Sequence, residues 1–192
     1  MQIIINEMKE QRFFINNVSL TYLLFKRIFD LVFSLIGILL LSSVFVITYC
    51  WIKKRLRGPV LAVEERDGLR GKRFYTCEFA RIIKNTTLRK LPQLFIVLIG
   101  NMSFVGPLPI SVDYVTGDTW FNLRLSAKPG IIGLWQVSGK KGGDSEMVRM
   151  DLKYVRERCI RNDLKIILKA IWLMFGEKRA SNCETGLGDG LI

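Results

Sequence analysis

Leu31-Val-Phe-Ser-Leu-Ile-Gly-Ile-Leu-Leu-Leu-Ser42-Ser43-Val-Phe-Val-Ile-Thr-Tyr-Cys-Trp-Ile52 runs for 22 residues without a charge. At about 1.5 Å per residue, such a helix just crosses the roughly 30 Å hydrocarbon core of a bilayer. The stretch must meet lipid or be wholly buried. Lys26 and Arg27 precede it, and Lys53, Lys54, Arg55 and Arg57 follow. Positive charge marks the cytoplasmic side of a membrane, so both ends read as cytoplasmic. The expectation is a helix that enters one leaflet and returns, with a straight span as the alternative. Ser42 and Ser43 lie mid-segment, where hydroxyls bonding back to the helix can bend it. Glu7 and Glu10 lie upstream, and no small-residue cleavage site follows Tyr49-Cys50-Trp51. This is not the pattern of a secretory signal, so the segment is expected to be retained.

Composition agrees. The 192 residues are 49% hydrophobic and carry a net charge of +12, with mean hydropathy +0.24. High apolarity with a strong positive excess points to a membrane surface and to a bilayer with anionic headgroups as partner. Nucleic acid is not the expected partner, because the basic residues abut the apolar run instead of interleaving with stacking aromatics. Histidine is absent, which excludes Ser–His and Cys–His nucleophile pairs and histidine metal sites. The four cysteines, at 50, 77, 159 and 183, form no C-x-x-C pair. That argues against a zinc ribbon and fits a reducing, cytosolic globular part.

At the edge of the apolar run, Asp30 needs a cationic partner, and Lys26, four residues earlier, is the expected one. After the run, the Gly-Pro and Gly-x-x-Gly punctuation of 57–74 predicts a short strand pair. Residues 79–100 predict two helices around Leu91-Pro92, capped by Thr86 or Thr87. Leu91, Leu94, Phe95, Leu98 and Ile99 form an apolar stripe that suits either the core or a bilayer interface. Residues 151–155 and 163–175 read as helices, the last capped by Asn162 or Asp163. Lys165 and Lys169 share one face of that helix, as in an interfacial or an ordinary packed helix. The fold class is therefore α+β, mainly helical, with an N-terminal re-entrant or spanning helix, a short β-hairpin and amphipathic interfacial helices. The expected divisions are 1–20 as an N-terminal extension, 21–57 as the membrane anchor, 58–175 as a cytosolic domain and 176–192 as a frayed tail.

Residues 85–109, Asn-Thr-Thr-Leu-Arg-Lys-Leu-Pro-Gln-Leu-Phe-Ile-Val-Leu-Ile-Gly-Asn-Met-Ser-Phe-Val-Gly-Pro-Leu-Pro, resemble the signature of the bacterial sugar transferases, which load phosphosugars onto polyprenyl phosphate. Further elements occur in the family's order over about 21–175. They are Lys26-Arg27-x-x-Asp30, a structural anchor by resemblance; Gly58-Pro59-Val60; Arg66-x-Gly68; Gly71-Lys72-x-Phe74; and Lys128-Pro129-Gly130-Ile-Ile-Gly133-Leu-Trp-Gln136-Val-Ser-Gly139-Lys140. The resemblance implies a cytoplasmic-membrane protein of surface-polysaccharide assembly with a re-entrant helix broken at a Ser-Pro pair, here Ser42-Ser43. It also implies Arg66, Arg124, Lys128, Gln136 and Lys140 as candidate substrate contacts.

The charged members differ. The family's adjacent Asp and Glu supply a nucleophile and a Mg²⁺ ligand, and here they are Arg89 and Lys90, which can do neither. Asn101 replaces the acid before Met-Ser, and Leu108 replaces the arginine of Gly-Pro-Arg-Pro, a natural bidentate partner for diphosphate. Phe74–Glu78 runs straight into Phe79–Ile83, where the family has a Lys-Phe-Arg-Ser-Met motif and a long loop. The expectation is a catalytically silent relative with no intact catalytic residue, no metal and no cofactor. It would serve an active sugar transferase or another polysaccharide-assembly protein. The alternative is an enzyme that uses Mg²⁺ with Asp113, Asp118 or Asp144. Arg89 and Lys90 are then either a solvated pair opposing the dipole of the helix they open, or a pair bound to phosphate or an acidic partner.

Overall fold

The computed structural model describes residues 18–83, 85–111, 123–139 and 144–184. The first helix among the described residues, α1 (Leu20–Arg55), has 36 residues, about 54 Å at 1.5 Å per residue. It runs through Ser42-Ser43 without the expected break. No proline is there to remove a ladder bond, and Ser42 Oγ donates to the Leu39 carbonyl at 2.8 Å within the intact ladder. Lys53, Lys54 and Arg55 occupy the last turn, where positive charge complements the helix dipole. Leu39, Leu40, Val46 and Ile47 are exposed, and only 11% of the most apolar 18-residue window is buried. The helix is long and apolar enough to cross a bilayer, and its open apolar surface places the chain at a membrane.

The strand pair expected within 57–74 forms, but its second strand runs on to Phe79: β1 (Leu61–Asp67) and β2 (Arg73–Phe79) are antiparallel from Leu61 opposite Phe79 to Asp67 opposite Arg73. Gly71 at the turn has φ +73°, a conformation glycine takes without steric cost. β3 (Ser103–Val105), β4 (Ile110–Ser111) and β5 (Gly130–Ile132) follow: β4 extends the hairpin sheet beyond β1, and β3 pairs with β5 in parallel. A Cβ on Gly106 would collide with the Lys128 carbonyl oxygen, and one on Gly130 with the Gly106 amide nitrogen. The glycines of the Gly-Pro and Pro-Gly elements thus let two backbones touch and fix Lys128 beside β3.

The two helices expected over 79–100 are shorter, the one-turn α2 (Thr86–Arg89) and α3 (Gln93–Ile99), and Phe79 belongs to β2. The N-cap is Asn85, not Thr86 or Thr87: its side chain accepts from the amides of Thr87 at 3.0 Å and Leu88 at 3.1 Å. The apolar stripe divides, with Leu91 and Leu94 buried while Phe95 and Ile99 are exposed. The described residues end in α4 (Leu134–Ser138), α5 (Asp144–Arg156) and α6 (Ile160–Glu184). α6 starts before Asn162 and Asp163, so Asp163 sits in its first turn instead of capping it, and the helix passes the boundary expected at 176. Its Ile166 is buried while Leu164, Leu168, Ile171 and Trp172 are exposed. One core joins Ile52, Val60, Phe79, Ile83, Leu91 and Leu94, and a second joins Val105, Val137, Tyr154, Val155 and Ile166.

Candidate functional site

Arg89 and Lys90 stand between β2 and β5. Asn85 starts the single turn of α2, which places Arg89 in its last turn and Lys90 at its C-cap. Both charges therefore lie at the favourable end of that turn, reversing the expectation that they oppose a helix dipole. They are not a solvated pair either. Arg89 Nε donates to Glu78 Oε2 at 2.9 Å, and Gln93 Nε2 donates to Glu78 Oε1 at 2.9 Å. Lys90 Nζ reaches the Ile131 carbonyl at 3.3 Å. Burial pulls the Lys90 ammonium below its usual range, and Glu78 partly restores it.

Lys90 opens onto a cavity of about 450 Å³ with Thr86, Thr87 and Gln136 on its wall, otherwise lined by apolar residues such as Phe33, Leu41 and Leu94. Gln136 Oε1 accepts from the Gly133 amide at 3.0 Å, so its carbonyl end is held by the start of α4. The other expected contacts among the described residues, Arg66, Arg124 and Lys128, do not converge on this cavity. Arg66 pairs with Glu64 along β1. Arg124 is 1% exposed; its Nη2 pairs with Asp151 and donates to the Leu108 carbonyl at 3.0 Å. Burial lowers the Arg124 pKa and raises that of Asp151 to about 6 against the pull of Arg124. Desolvation dominates this pair, which ties α5 to the Gly-Pro-Leu-Pro loop from within. Lys128 lines a different cavity, beside Lys26, Arg27 and Asp30. Lys140, Asp113 and Asp118 lie outside the described residues, and Asp144 begins α5.

The charges at the start of α1 clamp it to the body. The expected cationic partner Lys26 acts on Asp30 through its charge but makes no hydrogen bond to it among the described residues: Asp30 accepts from Ser103 Oγ at 3.1 Å and the Phe104 amide at 3.0 Å. Lys26 turns instead to Asp163, at 2.7 Å. Asp163 also accepts from Tyr22 at 2.9 Å and Tyr154 at 2.8 Å. Arg27 donates to the carbonyls of Val97 and Leu98, each at 2.9 Å, satisfying the open end of α3. Gly100, at φ +106°, leaves room for that guanidinium, since a Cβ would lie 3.0 Å from Arg27 Nη2. Ser42 and Ser43 are exposed and join no such contact with the body among the described residues.

Sequence reasoning missed Glu78, Ser103, Tyr154, Asp151 and Asp163 as partners. Only Glu78 left a usable sign, an acid on the strand that leads into a cation-bearing turn. Among the described residues, no three His, Cys, Asp or Glu side chains gather as metal ligands. The positions that resemble the family's acid pair do not fit Mg²⁺, because two cations occupy them and the neighbouring carboxylate is already bound by Arg89 and Gln93.

The sequence model of the family described as "Bacterial sugar transferase" matches residues 21–82 and 75–177. Among curated relatives, the galactosyl transferase CpsE of Streptococcus agalactiae is 32% identical over 82% of this chain and 44% of its own length. A UDP-glucose:undecaprenyl-phosphate glucose-1-phosphate transferase of Klebsiella pneumoniae is 30% identical over 82% of this chain and 42% of its own length. The undecaprenyl-phosphate galactose phosphotransferase of Salmonella typhimurium is 34% identical over 75% and 39%. The chain spans less than half the length of these three relatives.

Proposed function

From the premise that the chain belongs to the bacterial sugar transferase family, we propose that it is a membrane-anchored, catalytically silent member serving polysaccharide or glycoconjugate assembly as a regulatory or partner subunit. The observation that carries this is the Arg89–Glu78 pair at 2.9 Å. Where resemblance implies a nucleophilic carboxylate beside a metal-binding one, a guanidinium holds the nearby acid and an ammonium faces the cavity. Neither cation can attack phosphorus or ligate Mg²⁺. Leu108, at the place of the family's arginine, offers a diphosphate no side-chain donor. The family match comes in two pieces sharing 75–82, which supports a loop missing at that point. Such loops close over substrate and exclude water.

The anchor's geometry supports attachment from one side, on the cytosolic face of the inner membrane. Tyr22 and Lys26 bond Asp163, while Ile52 is buried with Val60 and Phe79. Residues 22 and 52 are about 45 Å apart along the helix, yet both touch one folded body. A helix crossing the bilayer would carry one end away from that body. The flanking Lys and Arg clusters set the side.

The competing reading is an active undecaprenyl-phosphate sugar phosphotransferase using acids such as Asp113, Asp118 or Asp144, and the names of the relatives favour it. Incubation of the purified chain with UDP-glucose or UDP-galactose, undecaprenyl phosphate and Mg²⁺ separates the two. The proposal expects no nucleoside monophosphate above the protein-free background, and sustained release overturns it.

A further inference from the structure

A second cavity, of about 260 Å³, lies between the first turns of α1, the segment 126–128 and the residues just beyond α5. Among the described residues, it shares no lining residue with the cavity at Lys90. Three separated pieces of chain bring four cations to it: Lys26 and Arg27 from α1, Lys128 from the approach to β5, and Arg158. Asp30 lines it as well, and Asp163 reaches it through its bond to Lys26. Among the described residues, four positive charges against two negative ones leave a formal excess of two.

Both carboxylates are engaged. Asp30 is held by Ser103 and Phe104, and Asp163 by Lys26, Tyr22 and Tyr154. Arg27 is anchored on two carbonyls of α3, and Arg158 Nη1 donates to the Ser126 carbonyl at 2.9 Å. Lys128 is the exception: among the described residues its Nζ makes no hydrogen bond and no ion pair, although it lies among like charges. Burial, with Arg27 and Lys26 adding to it against Asp30, pulls its pKa down. A half-buried ammonium repelled by two neighbouring cations is unfavourable unless an anion shares the space.

We propose that this cavity is a binding site for a phosphate group, with Lys128 and Arg158 on one wall and Lys26 and Arg27 on the other. A phosphate carrying one to two negative charges matches the excess, and its oxygens can take donors from several walls at once. Leu23 lines the rim, and the neighbouring Leu20 and Leu24 are exposed. The site therefore opens beside apolar helix surface, where a lipid phosphate could reach it as readily as a dissolved one. It holds whether or not the chain turns over substrate.

Thermal unfolding of the full chain in a neutral detergent tests this at constant ionic strength, with inorganic phosphate in one arm and phosphatidic acid mixed into the micelle in the other. Saturable stabilisation by either ligand beyond that of chloride, weakened at least tenfold by Lys128→Gln and unchanged by Lys90→Gln, is expected. The stronger arm identifies the source. Lys128→Gln is also expected to unfold no lower than the parent in phosphate-free buffer, because it removes a repelled charge. A ³¹P NMR titration of the unmodified chain reads the same binding without a variant. Absence of saturable binding in both arms, or equal weakening by the two variants, overturns the proposal.

Discussion

Restoring acids at the cationic pair tests how far the surroundings have adapted to it. In Arg89→Asp with Lys90→Glu, the Arg89–Glu78 pair disappears and a carboxylate faces Glu78. The pair is 28% and 29% exposed, so its removal costs about 1 kcal/mol after solvent screening. Two like charges about 4 Å apart repel by roughly 1 kcal/mol in water and 4 kcal/mol at a surface-like dielectric. Partial exposure places the added cost near the lower end, and the double variant should lose about 2 kcal/mol in all. Adding Glu78→Gln removes the repulsion and should return about half of that loss. Urea unfolding in detergent, read by circular dichroism, gives the three stabilities. A double variant as stable as the parent, or a triple variant less stable than the double, would refute the view that Glu78 is the counter-charge of this cationic turn.

Asp163→Ala leaves Lys26 without its ion-pair partner and the Tyr22 hydroxyl without its acceptor, while Tyr154 keeps the Val105 carbonyl at 3.1 Å; it should cost about 3–5 kcal/mol in the same assay, and a loss below about 1 kcal/mol would mean that this carboxylate does not hold α1 to the body. Asp151 gives a pH dependence. Burial raises its pKa from 3.8 to about 6, so its stabilising share is full below about pH 4 and is lost as pH rises through 6. At about 1.4 kcal/mol for each tenfold change in proton affinity, that is roughly 3 kcal/mol between pH 4 and pH 7. The parent-minus-Asp151→Asn difference in stability should carry this slope, and a flat difference contradicts it. Gly106→Ala should cost at least about 2 kcal/mol in the same unfolding assay and loosen the β3–β5 pairing, because a methyl there meets the Lys128 carbonyl; slower amide exchange at Ile132 in this variant would argue the other way.

What the sequence disclosed follows from the range of the forces involved. The charge-free run to Ile52, the turn residues before β1 and between β1 and β2, and the helical spacing after Pro92 are local signals, and each produced its element. Asn85 took the cap from Thr86 and Thr87 because its longer side chain reaches two amides at once. Charge partners were harder to read. Lys26 had Asp30 one turn away, yet it bonds Asp163, which lies 137 residues on, because α6 brings a carboxylate already braced by two tyrosines. Ser42-Ser43 looked like a break by resemblance, but without proline the ladder closed. Arg89 and Lys90 were legible as a replacement of acids, whereas the Glu78 that answers Arg89 appears only when β2 is folded against α2. The candidate substrate contacts scattered for a related reason: Arg124 and Lys128 are four residues apart, but the turn into β5 sends one to Asp151 and the other towards α1.

Intact-mass spectrometry bears most directly on the absence of a nucleophile at Arg89-Lys90. The purified chain would be held with UDP-glucose or UDP-galactose and Mg²⁺, without lipid acceptor, beside an active relative as positive control. An unchanged mass is the predicted result. A gain equal to one phosphosugar, retained after denaturation, would show that some other side chain attacks the diphosphate, and would contradict the account.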